Sequence, residues 1–286
     1  MSQSIYSALR GIVSQQQRID TIANNLANVN TIGFKSTRVD FKDAVYRAIN
    51  IPGPQGGAGT LMSGSGVMSG AMHRTFRSGS MVTTDNVLDF ALGGDGFFAV
   101  LDAQGEIRYT KSGAFGISVE TEQDEADASA LAQEKKFLVT AEGYYVLDEN
   151  GNKIEILGNT SGLSVSAQGE ITFEVPVVTK ENAQNITGGI DAIADEAPAA
   201  IKLGIFAFVN PQGLEATGNN LYTRTDMSGV PAFAKETQVM QGTLEQSNVE
   251  MSEEFSRLIR AQRALSLASR ALTTADEMDG MINQLR

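Results

Sequence analysis

A chain of 286 residues and 30.4 kDa is long enough for one large domain or two to three smaller ones with a real core. Its formal net charge of −12 and pI near 4.6 argue against a nucleic-acid partner, because phosphate binding rests on clustered Lys and Arg. The absence of cysteine excludes disulfides, thiolate metal sites and cysteine nucleophiles, and a single histidine, His73, leaves no histidine-rich metal site.

At the N-terminus, "MSQSIYSALRGIVSQQQ" lacks a basic start followed by an unbroken apolar stretch, so no cleaved signal peptide is expected. No apolar run approaches the roughly 20 residues of a membrane helix, and membrane insertion is not expected either. Ile5, Ile12, Ile19 and Leu26 recur seven apart, with Leu9, Ile22 and Val29 in the neighbouring row, which predicts a heptad-like amphipathic helix. Residues 24–36, "NNLANVNTIGFKS", are crowded with asparagine, and Gly33 with these Asn residues reads as a helix stop followed by a turn.

Residues 50–70, rich in Gly, Ser and Pro, predict a flexible or irregular loop. The period then falls to about 2. "LDFALGGDGFFAVLD", "EIRYTKSGAFGIS", "KFLVTAEGYYVLDENGNKIEI", "LSVSAQGEITFEV" and "IKLGIFAFVNPQG" predict strands and hairpins, with a turn at Asn150-Gly151. The acidic, Ala-rich stretch 120–135 reads as a solvated loop or short surface helix inserted between strands.

A second helix closes the pattern. Met251, Leu258, Leu265 and Leu272 fall seven apart, and Ala261, Ala268, Ala275 and Ile282 form the other row. Ser247 or Asn248 is the expected N-cap, with Glu250, Glu253 and Glu254 in the first turns, where the helix dipole favours negative charge. The whole predicts an α+β fold. Residues 1–35 plus 246–286 are expected to form a terminal helical domain, 36–81 plus 216–245 an extended or irregular connecting region, and 82–215 a central, mainly β domain. The two helices have two ways to bury their stripes: as an antiparallel hairpin within one monomer, or between subunits.

No constellation of catalytic residues emerges. His73, beside Arg74 and without a nucleophile, reads as a strand or surface residue. Gly93, Gly94 and Gly96 lack the Gly-Lys-Ser/Thr of a phosphate loop and predict a tight turn before a strand. "GSGVMSG" misses the dinucleotide-binding spacing. "DENG" at 148–151 departs from the calcium-loop pattern and reads as a hairpin turn. Glu120, Glu122, Asp124, Glu125 and Asp127 read as a solvated run, and the sequons at Asn159 and Asn185 as chance matches. No catalytic, cofactor-binding or metal role is assigned to any residue.

"NNLANVNTIGFKS" resembles the signature that follows the first helix in the flagellar rod and hook axial proteins of bacteria. The matching positions are Asn24, Asn25, Leu26, Ala27, Asn28, Asn30, Thr31, Gly33, Phe34 and Lys35. "LDFALGGDGFFAV", "YTKSGAFGIS", "FLVTAEGYYVL", "FVNPQGLEATGNNLYTRTDMSGVP" and "QGTLEQSNVEMSEEFSRLIRAQRALSLASRALTTADEM" are similar to that family's successive motifs, in order, over nearly the whole chain. Length and a single β domain look more like a distal or accessory rod protein than the larger hook subunit.

The resemblance implies a structural protein, not an enzyme. It would be exported by the flagellar type III apparatus and would assemble helically, through its terminal helices, into the torque-transmitting shaft of the basal body. Implied partners are other copies of the chain, neighbouring rod and hook proteins and surrounding ring proteins; no cofactor is implied. The assembly interface would comprise Ile5, Leu9, Ile12, Ile19, Ile22, Leu26 and Val29 of the first helix with the two apolar rows of the second. The alternatives are a hook subunit, or a secreted β-domain binding module or adhesin whose helices pair only within the monomer.

Overall fold

Helix α1 (Gln3–Ala27) and helix α2 (Met251–Gln284) form where the heptad-like rows predict them, in a computed structural model that describes residues 3–52, 58–121, 134–156, 162–173, 201–234 and 236–285. The chain divides into two units. The first comprises residues 1–30, 35–77 and 248–286, and the second residues 31–34 and 78–247.

In the first unit α1 and α2 pack against each other, and β1 (Thr37–Asp43) and β4 (Val67–Arg74) pack on α1. β1 and β4 are antiparallel partners, from Thr37 opposite Arg74 to Asp43 opposite Val67, with an irregularity between Val39 and Phe41. Between them β2 (Arg47–Pro52) and β3 (Ala58–Ser63) form an antiparallel hairpin, with Arg47 opposite Ser63 and Pro52 opposite Ala58.

The expectation of an irregular loop over 50–70 is therefore corrected: apart from 53–57, which lie outside the described residues, most of it is strand. Glycine weakens a strand's own propensity, but a paired strand takes its hydrogen bonds from a partner. β4 finds that partner in β1, about 30 residues upstream and invisible to a local composition count.

The second unit is built on β5 (Met81–Thr83), β6 (Phe90–Gly93), β7 (Phe97–Leu101), β8 (Ile107–Thr110), β9 (Phe115–Thr121), β10 (Glu134–Thr140) and β11 (Tyr145–Val146). Then follow β12 (Leu163–Val165), β13 (Glu170–Phe173), β14 (Ile201–Lys202), β15 (Ile205–Ala207), β16 (Glu215–Gly218), β17 (Leu221–Thr223), β18 (Ala232–Phe233), β19 (Gln238–Gln241) and β20 (Thr243–Glu245). The main sheet runs β16-β17-β8-β7-β11-β10-β9, with β15 bridging β7 and β18; all of its pairings are antiparallel. β12-β13-β14, β6-β19 and β5-β20 form smaller sheets.

Both faces of β7 are covered, which is why it reads as an unbroken apolar run. Phe98 and Val100 enter the core with Phe90, Phe115, Leu138, Val146 and Ile154, and the Phe98 ring meets Phe115 edge-on at 5.2 Å. On the opposite face Phe97 meets Phe208 and Tyr222 edge-on at 5.7 and 5.8 Å, and Tyr109 meets Phe208 at 4.8 Å. Edge-to-face pairs of this kind add about 0.5–1.5 kcal/mol each beyond their buried area. Burial pushes the Tyr109 phenol above its ordinary pKa, and the charge of Arg224 offsets this only in part.

The expected turns form. Gly93–Gly96 turns the chain between β6 and β7, and Lys111 Nζ donates to the Gly94 carbonyl at 2.9 Å. In "DENG" the Asp148 carboxylate accepts from the backbone N–H groups of Asn150 and Asn152, both at 2.8 Å, and Gly151 takes the positive φ of 85°. That carboxylate is occupied by its own turn. Around the acidic insertion, Thr121 of β9 lies opposite Glu134 of β10; residues 122–133 lie outside the described residues, as do Asn159 and Asn185. His73 sits half-exposed in β4, its Nε2 3.4 Å from Asp40 Oδ2.

Candidate assembly surface

The helix pair is antiparallel. The C-terminal half of α1 and the first turns of α2 line one cleft, through Arg18, Ile22 and Asn25 on one side and Glu254, Arg257 and Arg260 on the other. Further along, a Cβ placed on Gly11 would stand 4.0 Å from that of Ala268, so a residue without a side chain faces a small one.

On α2 Glu254, Leu258, Ala261, Leu265, Ala268, Leu272, Ala275 and Asp279 are covered at alternating four- and three-residue steps, with Arg257 and Ala264 covered beside them. Ala261 is 1% exposed. On α1 Ile22 is buried and Ile5, Ile12, Ile19 and Leu26 are half-buried; Val29, just past the helix, is half-buried as well. The expected rows are thus largely the seam between the two helices of one chain. Leu9, Met251 and Ile282 lie outside it, each about half exposed or more.

They are not isolated. Tyr6, Leu9 and Val13 form an exposed apolar row on α1, and Met251, Phe255 and Ile259 a second on α2; Met278, Met281, Ile282 and Leu285 make a third near the end of α2. Most of these residues are off the heptad register and were missed in the sequence. A search of the same helices for a second apolar stripe at three- and four-residue spacing finds them.

The asparagine-rich motif divides its work. α1 ends at Ala27, where Asn28 Nδ2 donates to the Asn24 carbonyl at 2.9 Å, so the stop comes six residues before Gly33. Asn25, 1% exposed, donates through Nδ2 to the Thr37 carbonyl at 2.8 Å and accepts from the Thr37 N–H at 3.0 Å, matching both backbone groups at the start of β1. Gly33, at φ 68°, serves the later turn in the second unit, where Phe34 N–H donates to the Thr31 carbonyl at 3.3 Å. In that turn Asn220 Nδ2 donates to the Ile32 carbonyl at 3.0 Å. Lys35, fully buried in the first unit, donates to the Arg77 carbonyl at 3.0 Å.

Asn248 is not the cap of α2. Glu250 holds that position in extended backbone geometry and makes no side-chain capping bond. Asn248 Oδ1 instead accepts from Ser36 N–H at 2.7 Å while Nδ2 donates to the carbonyls of Thr75 and Arg77 at 2.7 and 3.0 Å. One amide therefore ties together three separate passes of the chain. The amide supplies two donors on one atom and an acceptor on another, whereas a hydroxyl has a single donor.

Glu254 is 3% exposed and accepts from Arg257 at 2.7 Å; its other oxygen has no hydrogen-bond partner among the described residues. Arg257 also holds Glu253. Among the described residues no group of three His, Cys, Asp or Glu side chains is placed to hold a metal, and no helix is long and apolar enough to cross a membrane.

Three family models match the chain: the flagella basal body rod protein over residues 5–35, the flagellar hook protein FlgE/F/G D1 domain over 91–173, and the flagellar basal body rod FlgEFG protein C-terminal region over 240–285. The chain is 33% identical to the flagellar basal-body rod protein FlgG of Borreliella burgdorferi over 299 residues, covering 100% of this chain and 99% of that protein. It is 32% identical to FlgG of Bacillus subtilis, covering 97% of each, and 30% identical to the flagellar hook-basal body complex protein FlhP of the same organism, covering 100% of each. With terminal helices paired as the motifs imply and relatives matched end to end, the chain belongs to the flagellar basal-body rod protein family.

Proposed function

We propose that the chain is a structural subunit of the flagellar rod that assembles helically with copies of itself through its terminal helices and passes torque along the shaft. Its relatives are rod proteins rather than enzymes, and their matched length favours rod over hook. The observation that carries the assembly reading is the second apolar face. Each helix covers one stripe against the other and leaves a further row, Tyr6-Leu9-Val13 or Met251-Phe255-Ile259, open to water.

Full burial of a large apolar side chain contributes about 1.5–3 kcal/mol, and these rows are about half exposed, so covering them adds part of that per residue toward association. Neighbouring rod, hook and ring proteins, passage through the flagellar export apparatus and a position spanning the periplasm follow as parts of the same proposal. The test is polymer formation by the purified full chain, followed by sedimentation and electron microscopy. Wild type should form filaments or tubes, and Leu9→Asp combined with Val13→Asp should remain monomeric with unchanged helicity. Polymer of normal yield from that variant would remove the α1 row from the interface. The position of the tagged protein in isolated basal bodies separates rod from hook.

A further inference from the structure

At each end of the helix pair some charges lack ion-pair partners among the described residues. The cleft between α1, β1 and the start of α2, about 590 Å³, is lined by four guanidiniums, those of Arg18, Arg38, Arg257 and Arg260, against the three carboxylates of Asp40, Glu253 and Glu254. Arg257 is held by Glu253 and Glu254, and Arg38 by Asp40 at 3.0 Å. Arg18 lies over the Phe41 ring at 5.8 Å, and Arg260 donates through Nε to the Ser256 carbonyl at 3.3 Å. Neither has a carboxylate partner among the described residues.

At the other end of the pair the balance reverses. Asp276, Glu277 and Asp279 on α2 form no ion pair among the described residues, and the last turn of α2 holds no basic residue. Asp279 lies on the covered seam with α1, whereas Asp276 and Glu277 are exposed. They are followed by the exposed apolar row Met278, Met281 and Ile282.

We propose that these two ends dock on one another between copies: the acidic end of α2 in one subunit enters the arginine cleft of the next, with Asp276 and Glu277 facing Arg18 and Arg260. The inference rests on the rod-subunit reading and names the contact that gives it direction. Opposite ends of one molecule meeting make a heterologous contact, which propagates into an open helical polymer instead of closing into a dimer. The geometry sets the stagger. Arg260 and Glu277 are 17 residues apart on α2, about 26 Å at 1.5 Å per residue, so neighbours in contact are offset along the helix axis by about that distance. The apolar row beside the carboxylates removes water from the contact, which strengthens each charge pair and reduces its screening.

Two charge-reversed full-length variants test this. Arg18→Glu with Arg260→Glu makes both ends acidic, and Asp276→Arg with Glu277→Arg makes both ends basic. Each alone should raise the critical concentration for polymer at least about tenfold, equivalent to about 1.4 kcal/mol per contact. An equimolar mixture should polymerise near the wild-type concentration, because each cleft then finds an end of opposite charge. The neutral pair Arg18→Gln with Arg260→Gln, checked for wild-type helicity by circular dichroism, should show a smaller rise and a weaker salt dependence. Normal polymer from either reversed variant overturns the contact while leaving the rod reading intact. Failure of the mixture, with both variants folded, overturns it in favour of a different acidic protein as the occupant. If wild type itself forms no polymer, the rod-assembly reading falls and the contact falls with it.

Discussion

Gly33 donates its backbone N–H to the carbonyl of Glu245 at 2.8 Å, joining a turn near the start of the chain to the last strand before α2. A Cβ at Gly33 would stand 2.7 Å from Ser112 N and 2.8 Å from the Lys111 carbonyl carbon, and the φ of 68° is one that side chains rarely adopt. Both constraints point to glycine, since the neighbouring atoms are backbone and have nowhere to move. Gly33→Ala should lower the stability of the β unit by about 2 kcal/mol or more, from backbone strain plus displacement. Its melting curve, followed through aromatic circular dichroism, would show no change if the turn simply relaxes.

Asn248→Ala removes one acceptor and two donors at a junction of three chain passes, and should cost about 1–3 kcal/mol in urea unfolding. Asn248→Asp keeps the acceptor for Ser36 but sets a negative oxygen against the carbonyls of Thr75 and Arg77. It should be the more damaging of the two. The reverse order would mean that the bond to Ser36 carries most of the energy.

Ala261 is buried on the seam, so Ala261→Leu overpacks the helix pair and should destabilise it by about 1–3 kcal/mol. Leu258→Asp places a charge on the same seam and should abolish incorporation into polymer while the β unit still melts cooperatively. If limited proteolysis cuts the termini of monomeric Leu258→Asp no faster than those of wild type, the seam does not hold the pair together.

Tyr109 sets a pH limit. Its phenol ionises near pH 10 in the unfolded chain and at a higher pH when folded, because burial penalises the charged form. Above about pH 10 the folded state therefore binds more protons than the unfolded one, and stability falls as pH rises. The contribution is fully retained below that pH. Tyr109→Phe should flatten the fall in melting temperature above about pH 10; an unchanged slope would assign the effect to other groups.

The sequence by itself determined the two helices, the register of their seam and the β character of the middle, because each depends on a short period that repeats along the chain. Ile22 and Ala261 are buried where the heptad rows put them, and the Asn150-Gly151 and Gly93–Gly96 turns form as their residues require. The resemblance carried by residues 24–36 was also readable there, whereas the separate duties of those residues were not.

Only the tertiary structure showed that Asn25 matches the backbone of Thr37, that Asn248 clamps three passes instead of capping α2, and that residues 58–63 and 67–70 are strands. Each of these outcomes depends on a partner distant in sequence. The same holds for the exposed rows and the unpaired charges at the two ends of the helix pair: periodicity specifies which residues share a face, and packing decides which of those faces remains uncovered.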